Sequence, residues 1–363
     1  MISHQNKVDL KNMTRSQLVR FVESLQQKSF RGEQILSWLY RPGITEFSQM
    51  TDLAKDFREL LEKRARISRF TDPVIEESAD GAVKFGFRLE DGNYIESVYI
   101  PEGERNTLCV SSQVGCAMGC NFCATGAMGL KRNLKPAEMV NQVCAVQDWL
   151  VAQGKRKLSN LVFMGMGEPL ANLDNLLTAL SIITEQKGLD FAARRITVST
   201  CGMIPQMLEF GKKSDVNLAI SLHAIDNTTR SMLMPINKKY PVEDLLKACR
   251  EYQMKKRQRI MFEYVMLDGI NDSDETAGKL ADMLRGIPCK INLLAMNDGE
   301  VGQFRSSSRD RILRFQSILR KRGYTVFIRQ SRGADISAAC GQLAGRLSEG
   351  EGVPAPAGSA STG

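Results

Sequence analysis

Residues 109–134 read CVSSQVGCAMGCNFCATGAMGLKRNL, and within them Cys116, Cys120 and Cys123 form a C-x3-C-x2-C triplet. The triplet sits among Gly115, Gly119, Gly126 and Gly129. Glycines let a backbone curl closely around a bulky group. Thiolates are the ligands of iron–sulfur clusters. A structural zinc would want four Cys or His ligands, but the two histidines, His4 and His223, lie far from the triplet in sequence. A cluster used only for electron transfer would be closed by a fourth cysteine. Three thiolates can hold three irons of a cubane and leave the fourth open to bind and cleave something. That is the expectation for this stretch, with a zinc loop or a trio of core cysteines as the alternatives.

Outward from the triplet, the bulk properties set the frame. The chain has 363 residues, 43% hydrophobic and 25% charged. That is an ordinary globular make-up, with room for one large core and a small accessory domain. No apolar run approaches the roughly 20 residues that span a bilayer, and MISHQNKVDLK at the N-terminus lacks an apolar signal core. A cytoplasmic protein with no membrane partner is expected, its nine cysteines serving as thiols or ligands. A monomer is the default. The net charge of +8 favours an anionic partner, and residues 1–70 carry 13 Lys and Arg against 8 Asp and Glu.

Before the triplet, Leu18, Phe21, Val22 and Leu25 fall at helical spacing, as do Ile35, Leu36 and Leu39, and then Leu53, Phe57, Leu60 and Leu61. Arg41-Pro42-Gly43 separates the second helix from the third. The polar faces carry Arg15, Arg20, Arg31, Lys55, Arg58, Lys63, Arg64 and Arg66, either a grip on RNA phosphates or a solvated surface. A hairpin follows, Val83–Leu89 and Tyr94–Ile100 around Asp91-Gly92. Glu96 shares a strand face with Tyr94 and Val98; on the residues alone, solvent is its expected environment.

After the triplet, strand-like runs alternate with helical ones. Strands are expected at Leu108–Ser111, Leu161–Met164, Ile196–Ser199, Leu218–Leu222, Ile260–Met266 and Lys290–Ala295, with helices such as Pro136–Gln153, Asn172–Gln186 and Val242–Gln253 between them. Six β-α units imply an α/β fold with a parallel sheet curled as a partial (β/α)6 barrel, whose ligand groups sit at the C-terminal strand ends. The polar punctuation falls there: Gly165, Gly167 and Glu168, then Ser199, Ser221 with Leu222 and His223, and Asn297. A last strand, Tyr324–Gln330, leads to Cys340. The arginines before it, Arg329 and Arg332, favour a thiolate; on the residues alone, a small buried cysteine is the alternative. The expected organisation is a helical RNA-binding accessory domain (1–72), a β-hairpin linker (73–101), a barrel with the C-terminal cysteine segment (102–347) and a disordered tail (348–363).

The triplet with Phe122 before its last cysteine resembles the radical S-adenosylmethionine superfamily. QVGC-x3-C-x2-C, MGMGEPL, SLHA, PINKKYP, EYVMLDGIND, CKINL and DISAACGQLAG together resemble, over about residues 15–347, the RlmN-type family of RNA adenine C2-methyltransferases. The resemblance implies one [4Fe–4S] cluster on Cys116, Cys120 and Cys123, and two S-adenosylmethionine molecules per turnover. It implies that Gly167, Glu168, Ser199, Ser221, Leu222, His223 and Asn297 contact the cofactor. Cys340 would be methylated first and carry the carbon to adenine C2, Glu96 would take the C2 proton, and Cys109 would attack Cys340, leaving a transient disulfide. The implied partners are 23S rRNA at its peptidyl-transferase region, tRNA at the adenine beside the anticodon, and an external electron donor such as flavodoxin. Two features depart from the pattern or are shared beyond it. The loop Asp298-Gly299-Glu300-Val301 stands where many members have prolines, and Ala124-Thr125-Gly126 also occurs in the Cfr-type sister family that methylates C8. The alternatives are C8 methylation and a non-catalytic, zinc-stabilised RNA-binding protein.

Overall fold

A computed structural model describes residues 7–297 and 304–343; the loop Asp298–Val301 and the expected tail lie outside these residues. Two short parallel strands, β1 (Val8–Asp9) and β2 (Ala65–Arg66), tie together the ends of a helical module. Between them lie α1 (Arg15–Ser24), α2 (Phe30–Leu39) and α3 (Lys55–Arg64), where the apolar spacing places them. Thr14 opens α1 with a capping box to Gln17, which satisfies otherwise orphaned N–H groups. Leu18, Val22, Ile35, Leu36, Phe57 and Leu61 form the module's own core.

The rest is built on one ten-stranded sheet. In chain order its strands are β3 (Val74–Glu77), β4 (Val83–Arg88), β5 (Tyr94–Glu102), β6 (Arg105–Cys109), then, after the short pair β7 (Gln113–Gly115) and β8 (Leu130–Asn133), β9 (Asn160–Phe163), β10 (Ile196–Thr200), β11 (Asn217–Ser221), β12 (Ile260–Met266), β13 (Cys289–Ala295) and β14 (Val326–Arg329). Spatially they run β14-β13-β12-β11-β10-β9-β6-β5-β4-β3. From β14 to β6 the pairing is parallel, and from β6 to β3 it is antiparallel. The sheet is therefore mixed. The hairpin expected as a connecting segment continues the main sheet through β5 and β6, and β3 extends it by a strand the sequence reading did not place.

Paired residues face the same side of a sheet, and alternate residues share a face. Lys84 pairs with Val98, Val98 with Cys109, Cys109 with Val162, and Val162 with Thr197. Farther along, Ser199 pairs with Ala219, Ser221 with Glu263, Glu263 with Asn292, and Leu294 with Arg329. Lys84, Glu96, Cys109, Ser199, Ser221, Glu263, Asn292 and Arg329 consequently share one polar face. The opposite face carries Phe163, Val198, Ile220, Phe262, Ile291 and Leu293, all buried with helical residues such as Val143, Leu180, Leu245, Leu280 and Phe315. Burying each such side chain is worth about 1.5–3 kcal/mol. That burial orients the sheet, and the polar row is left facing inward.

The chain after β14 crosses toward the far edge of the sheet. Gly333 N–H donates to Asp80, and the Asp335 carboxylate accepts from the Ser78 hydroxyl and the Ala79 N–H. The segment carrying Cys340 thus spans from one edge of the sheet to the turn between β3 and β4.

Candidate active site

The cysteine triplet lies on the excursion between β7 and β8, which pair antiparallel and close its base. Gly115 has φ +72°, and a Cβ there would fall 1.9 Å from the Gly129 carbonyl oxygen, so the base closes only with glycine. Cys116 is buried and Cys120 and Cys123 are half-buried. Burial pushes the Cys116 thiol up to about 11 and raises Cys120 and Cys123 as well; Cys120 also feels the other two thiols, and Cys116 feels Glu168 and Cys123. The three thiols therefore gather within electrostatic reach, and a bound metal's charge is what would deprotonate them. Leu233, Met234 and Val265 line the loop with Met118 and Phe122. Among the described residues, no three His, Cys, Asp or Glu side chains are grouped as one metal ion would need. A cubane asks for less, since each thiolate takes its own iron. An all-thiol donor set on an apolar-lined loop fits that group.

Next to the loop stands the turn after β9. Gly167 has φ +97°, and a Cβ there would lie 2.4 Å from Gln113 Cβ, so Gly167 is fixed both by its conformation and by its close neighbour. Glu168, buried, donates its N–H to Gln113 Oε1 at 2.8 Å, while its carboxylate accepts from Leu170 N–H at 3.1 Å and Cys201 N–H at 2.8 Å. Burial raises its pKa, and the hydrogen bond from Cys201 opposes that rise.

His223 is buried with φ +59°. Its Nδ1 accepts from Val265 N–H at 3.1 Å and its carbonyl accepts from Asn271, so the proton of the neutral ring sits on Nε2. Burial, with Arg230 adding to it, pushes its pKa down to about 3. The Phe122 ring meets His223 edge-on at 5.0 Å, which brings the triplet and the end of β11 together. Leu222 is buried and donates its N–H to the Glu263 carbonyl at 3.0 Å. The half-exposed Ser199, Ser221 and Asn297 sit at the strand ends, and their side chains hydrogen-bond to no other described residue.

The sites expected to carry chemistry converge beside this rim. Cys109 ends β6 and is buried, whereas Cys340 is exposed. Burial pushes the Cys109 thiol up to about 12; the nearby Cys340 adds to the rise and Arg329 opposes it. At neutral pH Cys109 is accordingly a thiol, a weak nucleophile. Both cysteines are free in this structure. Arg329 is raised chiefly by Cys340, and its guanidinium touches Met164 Sδ at 3.7 Å. The Cys340 segment is also pinned to the triplet loop: Ala124 N–H donates to the Gly341 carbonyl at 2.7 Å, and the Thr125 hydroxyl to the Leu343 carbonyl at 2.6 Å.

Glu96 corrects the sequence-based expectation. It is 4% exposed, not solvated, because its face of the hairpin turns inward and lies beside Lys84, 3.7 Å away. Three further residues escaped the sequence reading. Glu263 is buried and accepts from Asn292 at 2.8 Å; a lone acid in the apolar strand IMFEYVM was its signal. Arg230 is fully buried and donates to the carbonyls of Cys201, Ser221 and Leu222. Lys84 is buried within VKFGFR. Neither of these two stands out by spacing.

Comparison with known proteins places the chain. Residues 8–67 match the family model of the ribosomal RNA large subunit methyltransferase N-terminal domain, and residues 110–281 match that of the radical SAM superfamily. A protein of Desulfotalea psychrophila named dual-specificity RNA methyltransferase RlmN is 59% identical over 348 residues, 94% of this chain and 96% of the relative. One of the same name from Geobacter sulfurreducens is 51% identical over 340 residues, 94% and 93% of the two chains. The crystal structure of a radical SAM methyltransferase from Sphaerobacter thermophilus is similar with a TM-score of 0.86 at 44% identity, covering 93% of this chain and 99% of that one.

Proposed function

Because this chain belongs to the RlmN family of radical S-adenosylmethionine RNA methyltransferases, we propose that it methylates C2 of one adenine in the peptidyl-transferase region of 23S rRNA and C2 of the adenine 3′ of the tRNA anticodon. The dual-specificity name of its relatives supports two RNA substrates and does not favour C8 methylation. Membership in an enzyme family also sets aside a non-catalytic zinc protein. The cofactors are one [4Fe–4S] cluster and S-adenosylmethionine. An external electron donor of the flavodoxin kind, a monomeric state and a cytoplasmic location complete the reading. Among the described residues no helix is long and apolar enough to cross a membrane.

Adenine C2 is electron-poor and does not attack a sulfonium methyl group, so a radical route is required. Bound to Cys116, Cys120 and Cys123, the cluster with its S-adenosylmethionine supplies that radical chemistry. Glu168, through its carboxylate, and Gly167, through its backbone, hold the amino acid end of the cofactor; Ser199, Ser221, Leu222, His223 and Asn297 complete the rim. His223, neutral at physiological pH, offers Nε2–H as a donor. Cys340 carries the methyl carbon as a thioether and presents it to C2. Its exposure suits a residue that must meet RNA. Glu96 takes the C2 proton; the Cys109 sulfur then attacks the Cys340 sulfur, the S–S bond forming as the bond from Cys340 sulfur to the methylene carbon breaks, and the thiol proton passes to that carbon, which frees the methylated base and leaves a disulfide.

The observation that carries this reading is the pinning of the Cys340 segment to the cysteine-triplet loop, through Ala124 N–H to the Gly341 carbonyl and the Thr125 hydroxyl to the Leu343 carbonyl. The test is a pair of variants. Cys340→Ala is expected to abolish methyl transfer, and Cys109→Ala to stall as a covalent protein–RNA adduct. Free turnover by either variant would overturn the assignment.

A further inference from the structure

Lys84 lies in the middle of β4 and is 2% exposed, a depth at which a lysine persists only with partners for its charge. Its ammonium stands 2.9 Å from the Glu76 carboxylate on β3 and 3.7 Å from that of Glu96 on β5, and it donates to the Ile336 carbonyl at 2.8 Å. The register produces the meeting. Glu76 pairs directly with Lys84, and Glu96 lies two residues along β5 from Val98, the cross-strand partner of Lys84. Ile336 belongs to the segment that ends at Cys340.

Other contacts attach that segment to the turn between β3 and β4: Asp335 accepts from Ser78 at 2.6 Å, and Asp80 accepts from Gly333 N–H at 2.9 Å. Lys84 differs from these because it also reaches Glu96. An ammonium has three donor hydrogens and no acceptor; Lys84 reaches Glu76 and the Ile336 carbonyl at hydrogen-bond distance and holds Glu96, at 3.7 Å, by charge. Glu76, the closer carboxylate, would satisfy a lysine that merely balanced charge. The added contacts to Glu96 and Ile336 join two parts of the site more than 200 residues apart in sequence.

We propose that Lys84 is a positioning residue of the methyl transfer. Its ammonium fixes the Glu96 carboxylate relative to the backbone that presents Cys340, so that proton acceptor and methyl carrier meet the adenine in one geometry. This rests on the reading of Glu96 and Cys340 given above. Because Asp335 and Asp80 hold the segment independently, loss of Lys84 should spare the loading of Cys340 and slow the step that needs Glu96.

The experiment uses the full-length, reconstituted protein with methyl-labelled S-adenosylmethionine and an unmodified 23S rRNA fragment. Label on Cys340, covalent protein–RNA adduct and released product are followed for wild type, Lys84→Met and Glu96→Gln. Lys84→Met is expected to load Cys340 as wild type does, to accumulate adduct, and to release product about a hundredfold more slowly, the scale of a 1 Å misplacement. Lys84→Gln, which keeps a neutral donor at this position, carries the same expectation and replaces Lys84→Met should the latter fail to fold. Product release at the wild-type rate overturns the inference. So does loss of Cys340 loading in a folded variant, which would make Lys84 purely structural. Glu96→Gln separates the two layers: if it traps no adduct, the assignment of Glu96 itself fails, whatever Lys84 does.

Discussion

The parallel and antiparallel halves of the sheet supply functional groups in opposite ways. From β6 to β14 the strands share a direction, so their C-terminal ends form one rim. On the proposed function, the groups used there come from strand ends and the turns after them: Gly167 and Glu168 after β9, Ser221 and His223 at the end of β11, Cys109 at the end of β6. From β3 to β5 the strands alternate in direction and have no common end. The groups there, Glu76, Lys84 and Glu96, come from strand middles and face inward. A parallel half can build a site from backbone N–H groups and tight turns, whereas an antiparallel half must bury charge. Buried charge needs a partner on the neighbouring strand.

The largest effect is expected where the parallel half also buries charge, as it does at Glu263 in β12 and at Arg230. Arg230 is a buried cation that donates to the carbonyls of Cys201 at 2.8 Å and of Ser221 and Leu222 at 3.2 Å, and to Asn237 at 3.0 Å. Arg230→Met removes these bonds, leaving the Leu222 carbonyl only the Ala224 N–H at 2.8 Å, and should cost about 3 kcal/mol or more in urea unfolding. A cost below about 1 kcal/mol would mean that the strand ends hold themselves. The turns give a sharper contrast. Gly167→Ala meets both a φ of +97° and a Cβ contact of 2.4 Å, while Gly103→Ala, in the turn between β5 and β6, meets a φ of +57° with nothing within 4 Å. The first should cost about 2–4 kcal/mol and weaken cofactor binding; the second about 1 kcal/mol, with binding unchanged. Equal costs would erase the distinction between a site-building turn and a mere connection.

Much of the parallel half was legible in the sequence, and for a physical reason. Ile260–Met266 is a strand with the bounds its apolar run gives it, and Ile196–Thr200 exceeds its expected end by one residue. Such strands are continuous apolar stretches closed by glycine, serine or histidine, and the closing residues are the rim itself. The helical module was equally readable from its spacing. In the antiparallel half, alternation located the hairpin but not its surroundings. Glu96 among apolar neighbours is the pattern of a solvated edge, but it lies beside Lys84 on the next strand, which is itself tied to Ile336 beyond residue 330. Neither contact is local. β3 was missed because Val74–Glu77 reads VIEE, too short and too acidic to stand out. Arg230 lies on a short helix, where an arginine is ordinarily a surface residue. Glu168 was placed by its motif, but its double backbone capping was not.

A smaller effect distinguishes His223 from the carboxylates. Its folded pKa of about 3 lies below the ordinary value near 6.5, so between these values the folded protein binds fewer protons than the unfolded chain. The stabilisation from a neutral His223 is fully present above about pH 6.5 and is lost as pH falls toward 3, by roughly 2 kcal/mol between pH 7 and 5. Stability–pH profiles of wild type and His223→Asn should therefore converge on acidification over that window. Parallel profiles would mean that the ring is solvated. The smallest folding effect belongs to the helical module. Arg20, Lys63 and Arg64 are exposed and form no ion pair among the described residues. Reversing their charge should change stability by less than about 0.5 kcal/mol but weaken RNA binding and flatten its salt dependence. Unchanged binding would confine RNA recognition to the barrel.

The most direct test of the central claim is nucleoside mass spectrometry after anaerobic incubation of the reconstituted protein with methyl-labelled S-adenosylmethionine and an unmodified 23S rRNA fragment. Labelled 2-methyladenosine is the predicted product. Labelled 8-methyladenosine, or RNA left unmodified by protein that carries its cluster, would contradict it.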